Sequence, residues 1–208
     1  SMSLKQRKFE AAKSEILSAA AKMFFEKGFK DVTVEDIAKE VGLSPGALYY
    51  YFKGKEDIFL CLDNEATDRF MEVINSFGGV GRDKNAEETI VELVEKLCAF
   101  AGEHRDYFLF LFKMATSVNR ELFDELTKKR LRLYLKLRRK LAEIIKTAVE
   151  RGEIRDINAE DMSLFLIGVV HGLFFNWFIK RIDDAELPGK IRMAVGIFFD
   201  GVRKKEER

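Results

Sequence analysis

Residues able to act as nucleophiles, acid–base groups or metal ligands are scarce in this 208-residue chain, which has two histidines and two cysteines. His104 has no second histidine or cysteine at a zinc-binding spacing, so no metal site is expected. His171 and Asn176 are polar residues stranded in an apolar stretch. Either could hydrogen-bond the head group of a ligand, as could Tyr107 or Tyr134, although a satisfied buried histidine and amide is the plainer account. Cys61 and Cys98 fall inside apolar periodic segments rather than a framework of paired spacings. That fits reduced thiols and a cytoplasmic setting, with a redox-sensing disulfide as the alternative. There is no Glu-x-x-His pair, no glycine-rich phosphate loop and no Ser, His, Asp set in a recognisable motif, so an enzyme and a cofactor are not expected.

The elements that must carry these residues are helices. With 47% hydrophobic residues, two prolines and segments rich in Ala, Leu, Lys, Glu and Phe, the chain is expected to be all-α with an ample core. A formal charge of +1 argues against indiscriminate coating of nucleic acid and leaves room for a local DNA-reading face. Lys5, Arg7, Lys8 and Lys13 against Glu10 make a small basic arm. Helices are expected over Lys13–Lys27, Thr33–Val41, Pro45–Phe52 and Glu56–Phe77. Beyond a flexible turn at Gly78, Gly79 and Gly81 they follow near Ala86–Glu103, Asp106–Ser117, Arg120–Arg151, Ala159–Arg181 and Leu187–Lys204. Leu131, Leu133, Leu135 and Leu137 alternate with polar residues at strand period. The continuation through Leu141, Ile144 and Ala148 is helical, and a lone strand would lack a partner. No secretory leader is expected, and no apolar run reaches the roughly 18 residues that span a bilayer, so no membrane partner is expected.

Local signals are sharpest between Thr33 and Asp57. Thr33 can cap a helix, with Asp36 standing in for the Glu of a capping box. Ser44 and Pro45 are a cap and a first-turn proline. Two short helices joined at Gly42 and packed on a preceding helix describe a helix-turn-helix, whose second helix is shaped for the major groove. Pro45, Gly46 and Ala47 at its start let the backbone approach base edges. Ala47 offers a methyl for a thymine methyl, whereas Pro45 and Gly46 make no bidentate hydrogen bonds, so specificity would lean on DNA deformability.

The run TVEDIAKEVGLSPGALYYYFKGKED closely resembles the helix-turn-helix core of the TetR family, through Thr33, Ile37, Ala38, Gly42, Leu43, Ser44, Gly46, Leu48, Tyr49, Tyr51, Phe52, Lys55 and Glu56. The resemblance implies a three-helix head over residues 1–57, with the fourth helix as connector, and a ligand-binding and dimerisation domain over 58–208. It implies backbone contacts from Thr33, Tyr49, Tyr50, Tyr51 and Lys55, with Tyr50 reaching toward a base and Ser44, Pro45, Gly46 and Ala47 beside it. Tyr49 and Phe52 have a competing role as core residues.

The rest of the chain is rich in phenylalanine. An effector pocket is expected from Phe70, Phe77, Phe100, Phe108, Phe112, Tyr134, His171, Phe174, Phe175 and Asn176. Residues Met162–Phe178 are apolar nearly all round, so the helix needs cover on two sides. Phe165, Val169, Leu173 and Trp177, with Ile191, Val195, Phe198 and Phe199 of the last helix, are expected to form an isologous homodimer interface. The function expected is a ligand-responsive repressor on a palindromic double-stranded operator. The effector is a small hydrophobic molecule, an aromatic compound or a fatty acyl coenzyme A, whose phosphates would suit the basic run Lys128–Lys140. The alternative is a protein-binding adaptor, since three consecutive tyrosines beside a lysine also suit a protein interface.

Overall fold

A computed structural model describes residues 3–81, 83–103 and 120–204. Among these residues there are eight helices and no strand: α1 Leu4–Lys27, α2 Val34–Glu40, α3 Pro45–Tyr49, α4 Lys55–Ser76, α5 Ala86–Glu103, α6 Arg120–Glu150, α7 Ala159–Phe178 and α8 Leu187–Val202. The helix expected over Asp106–Ser117, with Tyr107, Phe108 and Phe112, and His104 before it, lies outside the described residues. Described residues within Ser1–Asp68 and Asp106–Lys129 form one compact unit, and those within Arg69–Arg105 and Arg130–Arg208 form a second.

The first unit is held by a core that draws on five helices. Ile16, Leu17, Ala20 and Phe24 of α1 meet Ile37 and Ala38 of α2, Leu48 of α3, Phe52 just beyond α3, Ile58 and Phe59 of α4, and Leu122 and Leu126 of α6. Rings of Phe24, Phe29 and Phe59 pack with centroids 5.2 to 6.4 Å apart. Removing one such ring from a closed core costs about 3–5 kcal/mol. A buried ion pair, Lys129 to Asp63 at 3.7 Å, joins α6 to α4 inside this unit.

Helix ends follow from cap chemistry. The basic arm is helical from Leu4, because Ser3 accepts the Gln6 amide at 3.2 Å and the residues behind it are good helix formers. In α2 the Thr33 hydroxyl accepts the Asp36 amide at 3.1 Å while the Asp36 carboxylate accepts the Thr33 amide at 2.9 Å, a complete capping box. Gly42, at φ +69°, closes α2: its amide reaches Lys39 and the Leu43 amide reaches Ala38. This is the paired-bond C-terminal motif that requires a left-handed residue. Gly152 ends α6 in the same way at φ +72°. α7 ends likewise on Lys180 at φ +57°, a lysine where glycine is the usual occupant.

In the second unit α5 and α7 both pack on α8. The core contains Ile90, Leu93 and Leu97 of α5, Leu141, Ile144 and Ile145 of α6, and Leu166, Ile167 and Trp177 of α7. The Trp177 indole donates to Asp184 at 2.6 Å. The Arg151 guanidinium donates to the carbonyls of Val80, Gly81 and Lys84, so the turn after α4 is tied down by α6's end. Helix α6 runs straight through the alternating leucines: Leu137 is buried, Leu133 half-buried, and Leu131 and Leu135 exposed. By length and composition α7 could cross a membrane, which corrects the expectation that no segment could. Here one of its sides is spent on α8.

Candidate nucleic-acid interface

α3 is held at its start by the Ser44 hydroxyl, which accepts the Ala47 amide at 3.2 Å, with Pro45 in the first turn. It ends at Tyr49, not Phe52. The amides of Tyr50 and Tyr51 turn back to Ala47 and Leu48, tightening the last turn. Leu48 and Phe52 are buried and anchor the helix, which settles Phe52 as core. Tyr49 is 52% exposed and Tyr50 68% exposed, so neither is core. Ser44, Pro45 and Gly46 are exposed and Ala47 half-buried. A Cβ built on Gly46 would meet nothing within 4 Å, and its backbone is not left-handed. The fold therefore places no demand for glycine at this position.

Phe9 of α1 stacks on Tyr51 at 5.0 Å and meets Tyr50 edge-on at 5.8 Å. This contact was not anticipated. It sets Lys5, Arg7 and Lys8, all exposed on the same first turns, alongside the tyrosines. A period-3.6 reading started at Lys13 could not see it. Thr33 is exposed, but its hydroxyl proton is given to Asp36 Oδ2 at 2.7 Å. Together with the amide bond, this holds the Asp36 carboxyl below its usual range. Lys55 departs furthest from expectation. Its ammonium donates to the carbonyls of Phe29 at 2.9 Å and Val32 at 3.1 Å, with Lys30 at 3.4 Å, and lies 4.6 Å over the Phe29 ring. All three of its protons are engaged inside the protein.

The expected effector residues separate into small groups. Phe70 and Phe100 meet edge-on at 5.8 Å, and Tyr134 lies 5.9 Å from His171. Phe174 is half-buried against Trp177. Phe77 is buried with Lys96 over its ring, so it is capped rather than open. The Asn176 amide donates to Gly172 at 2.8 Å, and Phe175 is 48% exposed. His171 keeps an exposed edge, yet the surrounding protein lowers its imidazole below the ordinary histidine range, so it is neutral at neutral pH. Burial raises the Cys98 thiol to about 12 and also lifts Cys61, which leaves both thiols poorly nucleophilic. A groove of about 440 Å³ between α6 and the start of α7 contains none of the expected pocket residues. Its lining sets Arg139 and Lys146 among Glu143, Glu150, Asp156 and Glu160, around Val149 and Ile157.

Of the expected interface set, Trp177, Ile191, Val195, Phe198 and Phe199 are buried within the protomer and leave a partner little surface to meet. Phe165 is exposed, and Val169 and Leu173 are half-buried. The outward apolar side of α7 and α8 is instead Leu164, Phe165, Phe175, Ile179, Met193 and Ile197. Both faces of α8 are apolar in sequence, and only packing on α5 and α7 decides which turns in.

Comparison with known proteins meets this geometry at both ends of the chain. The profile of bacterial regulatory proteins of the tetR family matches residues 16–62, and that of the tetracyclin repressor-like C-terminal domain matches 83–181. The chain is 29% identical over 193 residues to the fatty acid metabolism regulator protein of Bacillus subtilis strain 168, covering 92% of this chain and 95% of that one. The fatty acid degradation regulator FadR from Bacillus halodurans shares the fold with a TM-score of 0.69 at 21% identity, over 93% of this chain and 97% of that one. SmeT, solved in a triclosan complex, gives 0.69 at 18% identity over 94% and 93%. With a helix-turn-helix of this build and a matching carboxy-terminal region, the chain belongs to the TetR family of DNA-binding transcriptional regulators.

Proposed function

We propose that this protein is a repressor that binds a palindromic double-stranded operator as a homodimer and is released by a small hydrophobic effector. The observation that carries the DNA side is the open, exposed amino end of α3. Gly46 has space around it that the fold does not use, and Tyr49 and Tyr50 stand exposed beside it. Small residues there let the backbone approach base edges, while the tyrosine hydroxyls and the basic first turns of α1 suit phosphates. Half-sites would then lie about one helical turn, roughly 34 to 36 Å, or a multiple of it apart.

A fatty acyl coenzyme A is the effector class we favour. Its support is the likeness along nearly the whole chain to a regulator of fatty acid metabolism, together with aromatic groups in the second unit. The Phe70–Phe100 and Tyr134–His171 pairs and Phe174 are the proposed contacts. Effector binding would favour one dimer state over another, and a strong switch needs a difference of several kcal/mol between them.

Native mass spectrometry of freshly purified protein, then binding to duplexes from the DNA flanking its own gene, tests this reading. A dimer carrying an acyl species that weakens salt-sensitive DNA binding is the expected result. A monomer with salt-insensitive or no DNA binding sinks it.

A further inference from the structure

We propose that Lys55 is a positioning residue: it welds the first turn of α4 to the α1–α2 loop so that the helix-turn-helix moves with α4 as one body. The inference rests on the DNA-binding reading above and concerns how that function is held together.

Lys55 opens α4. Its ammonium donates to Phe29 O, Lys30 O and Val32 O, at 2.9, 3.4 and 3.1 Å, and covers the face of Phe29. Those carbonyls belong to the short connection that leaves α1 at Gly28 and enters α2 at Thr33. An ammonium has three protons and no acceptor, so a tripod of carbonyls satisfies it completely. Phe29 is itself fixed by Phe24 of α1 and Phe59 of α4. One side chain therefore ties α4 to the segment whose last residue caps α2. One turn later Ile58 and Phe59 of the same helix enter the head core. Any displacement of α4 is delivered to α2 and α3 through these contacts rather than absorbed in the loop.

A phosphate contact from the same ammonium would require breaking these bonds, and the two roles leave different signatures. The test uses the full-length protein with a duplex selected by it from a random-sequence pool, and poly(dI-dC) as the non-specific duplex. All assays are run well below the melting temperature of each variant. For Lys55→Gln we expect affinity for the selected duplex to fall about tenfold or more. The slope of log affinity against log salt should stay that of the wild type, and poly(dI-dC) binding should be unchanged. Lys55→Arg keeps the charge, but its longer, planar guanidinium cannot take the compact ammonium's place among these three carbonyls and over the Phe29 ring, so it should lose affinity in the same way. It also carries the test if Lys55→Gln does not fold. A slope reduced by about one, equal weakening on both duplexes and rescue by arginine would overturn the proposal in favour of a phosphate contact. Wild-type affinity in a folded Lys55→Gln would overturn it as well. If the wild-type protein selects no duplex, the regulator reading itself fails, by a result that involves no variant.

Discussion

Single residues in unusual backbone states are where sequence and fold pull against each other. Gly42 and Lys180 sit at equivalent positions of the same helix-ending motif, at φ +69° and +57°. A side chain in that region costs about 1–2 kcal/mol, and glycine is free of that cost. Lys180→Gly should therefore raise stability by about 1 kcal/mol, read as a higher urea midpoint with an unchanged slope. Gly42→Ala should lower it by a similar amount. A neutral Lys180→Gly would mean that another contact of the lysine offsets the strain. Tyr50 is the complementary case. At 68% exposed it has little packing to lose, so Tyr50→Ala should change stability by no more than about 0.5 kcal/mol while weakening binding to a selected duplex. Equal loss of both would assign Tyr50 to the fold, through its edge contact with Phe9.

At the scale of elements, what could be read in advance depended on whether the signal was local. The Thr33–Asp36 box, the Ser44 cap and the glycine stop at Gly42 are written in residues three or four apart, and each is present as expected. The start of α1 was missed because Lys5 to Ala12 has helix formers without an apolar stripe. The inward face of α8 was missed because Met193 and Ile197 are as apolar as Ile191 and Val195. The role of Lys55 was invisible because its partners lie more than twenty residues away. The capping box gives a prediction with a definite pH sign. Asp36 titrates below its unfolded value because of the Thr33 hydroxyl and amide. Its contribution to stability is thus present above the ordinary carboxylate value of about 3.9 and is lost as pH falls through the lower folded value. Asp36→Ala should be less stable than wild type near neutrality, and the two should converge as pH falls from the ordinary carboxylate range through the lower folded value. A constant gap across that range would show that the cap does not depend on the charge.

For the whole molecule, the apolar side that α7 and α8 leave exposed sets the strongest constraint. Leu164, Phe165, Phe175, Ile179, Met193 and Ile197 stand 42% to 65% exposed. Gly168 and Gly172 lie exposed on the same helix, and a Cβ on either would meet nothing within 4 Å. A monomer rarely presents so much contiguous apolar surface, and the small residues would let a second helix pair come close. A two-fold homodimer that covers this side satisfies both observations, because the same residues meet their own copies. The contrast between neighbours on α8 makes the proposal sharp. Ile197→Glu places a carboxylate on the exposed side and should leave each protomer folded but monomeric by native mass spectrometry, with affinity for a two-half-site duplex falling accordingly. Ile191→Glu buries an unpaired charge in the protomer's own core and should prevent stable folding. If Ile197→Glu stays dimeric and binds DNA as before, the partner must sit elsewhere, and the exposed apolar side of α7 and α8 would need a different occupant.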